Sequence, residues 1–123
     1  MKTDIEEIQK TLQGILKSHS PLLKVRLESK KTFEIAGTIT TMQGKKEVNG
    51  YYFASVMPKP KDVRLYFFPI YTHVDEFSLS PALQKFLKGK SCFHIKKLSA
   101  EIEEELKAMI AKGVELYKKD ELI

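Results

Sequence analysis

The sequence predicts an α+β fold, a two-layer sandwich in which a mostly antiparallel five-stranded sheet carries the N- and C-terminal helices on one face. Three observations lead there. Apolar residues recur at helical spacing at both ends of the chain, they alternate with a period of two between those ends, and the alternating runs follow one another through short turn-like breaks. Consecutive hairpin-linked strands flanked by helices give an antiparallel sheet with its helices segregated to one side. A chain of 123 residues fits one domain, here taken as 1–123.

The first element is a helix over residues 4–17, because Ile5, Ile8, Leu12, Ile15 and Leu16 fall on one face. Thr3 with Glu6 three residues on has the form of a capping box, and Asp4, Glu6 and Glu7 suit the positive end of the helix dipole. Ser20-Pro21 ends it. Leu23, Val25 and Leu27 then alternate with Lys24, Arg26 and Glu28, which predicts an amphipathic strand, and Phe33, Ile35 and Ile39 predict a second. Residues 42–50, MQGKKEVNG, read as a polar connecting loop.

Two apolar runs follow, Tyr51 to Met57 and Val63 to Ile70, joined through Pro58-Lys59-Pro60-Lys61-Asp62 as a hairpin with a stiffened loop. Strict alternation places Tyr51, Phe53 and Met57 on one face of the first run and Tyr52, Ala54 and Val56 on the other. In the second run Arg64, Tyr66, Phe68 and Ile70 share a face opposite Val63, Leu65 and Phe67. Ser80-Pro81 opens a short helix that Gly89 ends, and Ser91 to Ile95 forms the last strand. Ser99 begins the final helix, with Ile102, Leu106, Met109, Ile110 and Tyr117 on its apolar face and Lys118 and Lys119 at its negative end. The expected order is therefore α-β-β-β-β-α-β-α.

Composition narrows the function classes. One cysteine excludes an internal disulfide framework and suits a reducing compartment. The charged N-terminal stretch MKTDIEEIQK lacks the form of a signal peptide, and no apolar run approaches the roughly 20 residues of a membrane span. A cytoplasmic location without membrane association is the expectation. The net charge is +5, but nineteen of the twenty-one basic residues are lysine, leaving only Arg26 and Arg64. That scarcity argues against nucleic-acid recognition, which leans on bidentate arginine.

The stretch KGKSCFHIKKL, residues 88–98, gathers the sole cysteine, a histidine and four lysines. On a strand, Phe93 and Ile95 face the core while Cys92, His94 and Lys96 face away from it. Residues i and i+2 stand about 6.7 Å apart, from a rise of roughly 3.3 Å each, too far for a nucleophile–base pair needing about 3 Å. No acid–base pair, triad, P-loop or dinucleotide fingerprint occurs elsewhere, so an enzyme is not expected, and the sequence leaves any cofactor unknown. Lys88, Lys90 and Lys96 with His94, Cys92, Arg64 and Tyr66 form a candidate site for a small anionic ligand, with Gly89 admitting close backbone approach. Tyr51, Tyr52, Tyr66 and Tyr71 can line a half-polar groove beside it, or the seam of a homodimer. A metal site would draw on His73, His94 and Cys92.

With KGKSCFHIKK, YYFASVMPKPKDVRLYFFPIYTH and the MQGKK segment in view, the chain resembles the YdhG-like family of small bacterial domains of unknown function, from about Phe33 to Lys119. The resemblance implies a compact α+β fold. Some relatives are similar to frataxin and described as intracellular iron chaperones, so it also implies iron delivery as an alternative function. For that, the carboxylates Asp4, Glu6 and Glu7 on the first helix, with Glu28 and Glu34, would have to act as the ligands.

Overall fold

A computed structural model describes all residues Met1–Ile123. The element order is α1 (Ile5–Lys17), β1 (Lys24–Glu28), β2 (Phe33–Ala36), β3 (Thr40–Gln43), β4 (Lys46–Asn49), β5 (Tyr52–Pro58), β6 (Val63–Phe67), α2 (Pro69–Thr72), a 3-10 turn (Val74–Glu76), α3 (Pro81–Gln84), β7 (Leu87–Lys88), β8 (Cys92–Ile95) and α4 (Ala100–Lys119). The chain is α+β, with an antiparallel sheet of six strands in the order β1-β2-β5-β6-β8-β7 and a separate hairpin of β3 with β4. No helix is long and apolar enough to cross a membrane.

The five-stranded expectation fails at two places where the apolar period is silent. Residues 42–50 are not a loop. They lie largely in the β3–β4 hairpin, whose mostly exposed polar residues turn at Gly44, held at a φ of 65° that favours glycine. The helix opened by Ser80-Pro81 ends at Gln84 rather than near Gly89, and Leu87–Lys88 instead forms the two-residue edge strand β7. A strand that short has no period to read.

β-Bulges account for the faces that strict alternation mispredicts. Pairing jumps between Ile35/Ala36 and Ala54/Tyr52, so Phe53 is the extra residue and faces the helices together with Ala54. Phe53 packs edge-on against Phe67 and Tyr117, both on the helix side of the sheet. A second bulge at Arg26 turns Leu27 out beside Glu34, leaving it 49% exposed instead of in the core with Leu23. The first helix also begins one residue later than the Thr3 capping box implies: Asp4 caps it, its carboxylate accepting from the Glu7 N–H at 3.0 Å.

Elsewhere local chemistry and structure agree. The Pro58–Asp62 turn closes where the Lys59 N–H donates to the Asp62 carbonyl at 2.8 Å. Ser99 caps α4 by accepting from the Ile102 N–H. Ile8, Leu12, Leu16 of α1 and Leu106, Ile110, Tyr117 of α4 join Phe33, Phe53, Leu65, Phe67 and Phe93 in one core, so both long helices cover the same sheet face. At Gly113 α4 passes so near the Phe67 ring and Pro69 that no room is left for a Cβ. The Tyr117 hydroxyl donates to the Tyr52 carbonyl, tying the end of α4 to the start of β5.

Candidate functional site

The strand register distributes the expected ligand residues over two separate places. On the sheet face turned away from the helices, cross-strand partners form two rows. Leu27, Glu34, Ser55, Tyr66, Cys92 and Lys88 make one row across all six strands, and Met57, Arg64 and His94 make the other. Paired residues share a face, so Arg64, Tyr66, Cys92, His94 and Lys88 do come together. Lys96, exposed, follows directly after β8.

Beside Leu27 and Met57, the polar side chains of the open face pair with one another. Arg26 forks onto Glu34 at 2.8 and 2.9 Å and also donates to the Gly50 carbonyl at 3.0 Å. Asp62, a carboxylate only 7% exposed, stands 3.4 Å from the Arg64 Nε and 3.9 Å from the His94 Nδ1. The Tyr52 hydroxyl donates to the buried Ser55 hydroxyl at 2.7 Å. Burial, ahead of any neighbour, pushes the Tyr52 phenol up to about 12 and raises Tyr66 and the Cys92 thiol beside it. A raised thiol stays protonated near neutrality, the opposite of what a cysteine nucleophile requires.

Lys90 is elsewhere. The turn between β7 and β8, with Gly89 at a φ of 70°, carries it past the end of the sheet to a cleft of about 490 Å3. That cleft is lined by Tyr71 and Val74 from the α2 region, Phe77 and Leu79 from the segment after it, and Leu87 with Lys90 from the β7–β8 hairpin. The Lys90 ammonium lies 5.5 Å from the centre of the Tyr71 ring, a cation–π contact at the mouth. Tyr71 is 50% exposed and Val74 64%, so the apolar wall faces solvent.

The wall is anchored from behind by α4. Pro69 occupies the first position of α2, as its fixed φ favours, and packs with Phe67 against Gly113. The His73 Nε2 meets the Asp120 Oδ2 at 2.7 Å, while its Nδ1 lies 2.8 Å from the Thr72 hydroxyl. Further along, Ser80 caps α3 and also hands its N–H to the Glu105 carboxylate at 2.8 Å. Phe77 stands edge-on to Phe67 at 5.6 Å. Three anchors therefore fix residues 69–84 against one rigid helix.

The tyrosines divide as well. Tyr51, Tyr52 and Tyr71 each contact Phe68, at 5.8, 5.6 and 5.6 Å, and Tyr51 also leans on Tyr117. Only Tyr71 reaches the cleft; Tyr66 stays on the open face.

The structure does not bring the metal grouping of His73, His94 and Cys92 together. His73 is bound to Asp120 on the helix side, whereas Cys92 and His94 lie across the sheet from it. No group of three or more His, Cys, Asp or Glu side chains is placed to hold an ion. On α1, Asp4 is occupied as the helix cap and Glu6 pairs with Lys10 at 3.2 Å.

Sequence reasoning missed Val74, Phe77, Leu79 and Leu87. Their signal is a set of apolar residues without period, Val74, Phe77 and Leu79 between two short helices and Leu87 just after the second. No protein family, curated protein or solved structure matches the chain.

Proposed function

We propose that the protein is a non-catalytic binding protein for a small anionic molecule, held in the cleft between α2 and the β7–β8 hairpin with Lys90 as its charge partner. The observation that supports it is one exposed ammonium at the mouth of a largely apolar cleft. Concave apolar pockets of about 300–1,000 Å3 with a few convergent polar groups are the usual form of a small-molecule site. The anionic ligand expected beside residues 88–97 is thereby assigned to the Gly89–Lys90 turn and Tyr71, while Arg64, Tyr66, Cys92 and His94 belong to the flat face.

A thermal-shift panel of carboxylated, phosphorylated and sulfonated metabolites tests this. A ligand at a hundred times its Kd adds about 2.7 kcal/mol, which for this chain length raises Tm by roughly 10 °C. The shift should shrink sharply in Lys90→Ala. Should no anionic compound of any class produce a Lys90-dependent shift, the reading is wrong.

A second reading concerns the open face. Leu27, Met57 and Tyr66 lie on one flat surface that no long helix covers, which suits a homodimer. Light scattering at high concentration tests it, since a strictly monomeric mass removes this option.

A further inference from the structure

Resting on the cleft reading, we infer that the ligand is a monocarboxylate with an uncharged apolar body, a medium-chain fatty acid or a flat aromatic acid. The cleft has one cation, Lys90, and its other side chains are predominantly apolar. One ammonium neutralises one negative charge; a dianion would bring an uncompensated charge against hydrocarbon. The far side of the cleft reinforces the limit. Phe77 and Leu79 also border a second depression lined by Asp75, Glu76, Glu105 and Lys112, whose ammonium lies 5.7 Å from the Phe77 ring centre. Glu105 is occupied by Ser80, and Glu76 has Lys112 4.0 Å away. The second depression thus holds three carboxylates against one ammonium, while Lys90 is the one cation lining the first. A ligand carrying negative charge at both ends, or a polar phosphorylated body, meets repulsion or loses its water there. A ligand with its carboxylate at Lys90 and hydrocarbon on Tyr71, Val74 and Leu87 meets neither.

The Lys90 ammonium already rests on the Tyr71 ring. It exchanges a cation–π contact for a charge-assisted bond when a carboxylate arrives. The aliphatic stem stays as part of the wall.

Calorimetric titration of the full chain with decanoate, 1-decanol, decanedioate and AMP separates the cases. Decanoate should bind one to one and saturably. The alcohol and the diacid should bind at least about tenfold more weakly, the first for want of a charge-assisted bond and the second through its extra carboxylate, with AMP giving no saturable heat. Lys90→Gln should weaken decanoate by about tenfold or more and leave the alcohol unchanged. Val74→Asp, at an exposed position that folding does not depend on, should weaken both. If the diacid or AMP equals or exceeds decanoate, the monocarboxylate assignment is overturned while a small-anion site stands. If the alcohol matches decanoate, the role of Lys90 is overturned. If no compound binds here and the wider anion panel also fails, both readings fall.

Discussion

Gly14→Ala and Gly113→Ala make the same chemical change in the two long helices, yet the structure assigns them opposite signs. In a helix interior, alanine is favoured over glycine by about 0.8–1 kcal/mol through the lower entropy of the unfolded chain. At Gly14 nothing lies within 4 Å of an added Cβ, so that gain is kept. At Gly113 the Cβ would stand 2.7 Å from the Phe67 Cζ, 3.1 Å from its Cε1 and 3.1 Å from the Pro69 Cγ. Carbon atoms settle at about 3.5–4.0 Å, so the ring or the helix must move by nearly an ångström.

Phe67 cannot swing aside. It is fully buried and held edge-on between Phe53 at 5.5 Å and Phe77 at 5.6 Å. Overpacking of this kind costs about 1–3 kcal/mol, leaving a net loss of up to about 2 kcal/mol once propensity is set against it. With an unfolding entropy near 2.1 cal/mol/K per residue, 1 kcal/mol corresponds to roughly 4 °C in this chain. Thermal unfolding followed by far-UV circular dichroism should show Gly113→Ala lowered by up to about 8 °C and Gly14→Ala raised by about 3–4 °C. Movement of both variants in the same direction would refute the packing argument.

Tyr117→Phe removes the hydroxyl that donates to the Tyr52 carbonyl and should cost about 1–2 kcal/mol in urea unfolding; an unchanged midpoint would sink that assignment. Burial first, then Lys118, lowers the His19 pKa, so folding disfavours its protonated form. That stabilisation is present above the unfolded value near 6.5 and is lost as pH falls through the folded one, so stability should drop between about pH 7 and 5. His19→Gln should flatten the slope, and an identical slope in the variant would exclude His19 as its source. Burial raises Tyr52 to about 12 and raises Tyr117 too, so both stay protonated until alkali unfolds the chain. Phenolate absorbance at about pH 11 should therefore be the same in wild type and Tyr52→Phe, a missing phenolate in the variant being the contrary result. The Cys92 thiol, raised by burial, should react with a disulfide reagent more than about tenfold slower in the folded protein than in denaturant.

The sequence announces what periodicity can carry. α1 and α4 follow from their apolar stripes, the Pro58–Asp62 turn from its prolines, and the inward Phe93 and Ile95 from simple alternation in β8. What it hides has identifiable causes. β3 and β4 are mostly exposed, so they carry no apolar signal. Phe53 and Leu27 lie at or beside bulges, and a bulge inverts the parity on which face assignment rests. The site shows the same division. Cross-strand register, which no single strand encodes, aligns Arg64 with His94 and Tyr66 with Cys92. The positive φ at Gly89 carries Lys90 away from them to the cleft. A string of neighbours in sequence thus becomes two sites, divided by a single turn.

The outer strands of the sheet have a bearing on how the protein behaves when concentrated. At one border β1 is bent by its bulge and studded with Lys24, Arg26 and Glu28; at the other β7 offers two residues. Neither border presents a long, straight row of free backbone groups on which another chain can crystallise into a growing ribbon. Edge-to-edge extension of the main sheet is disfavoured by its own margins.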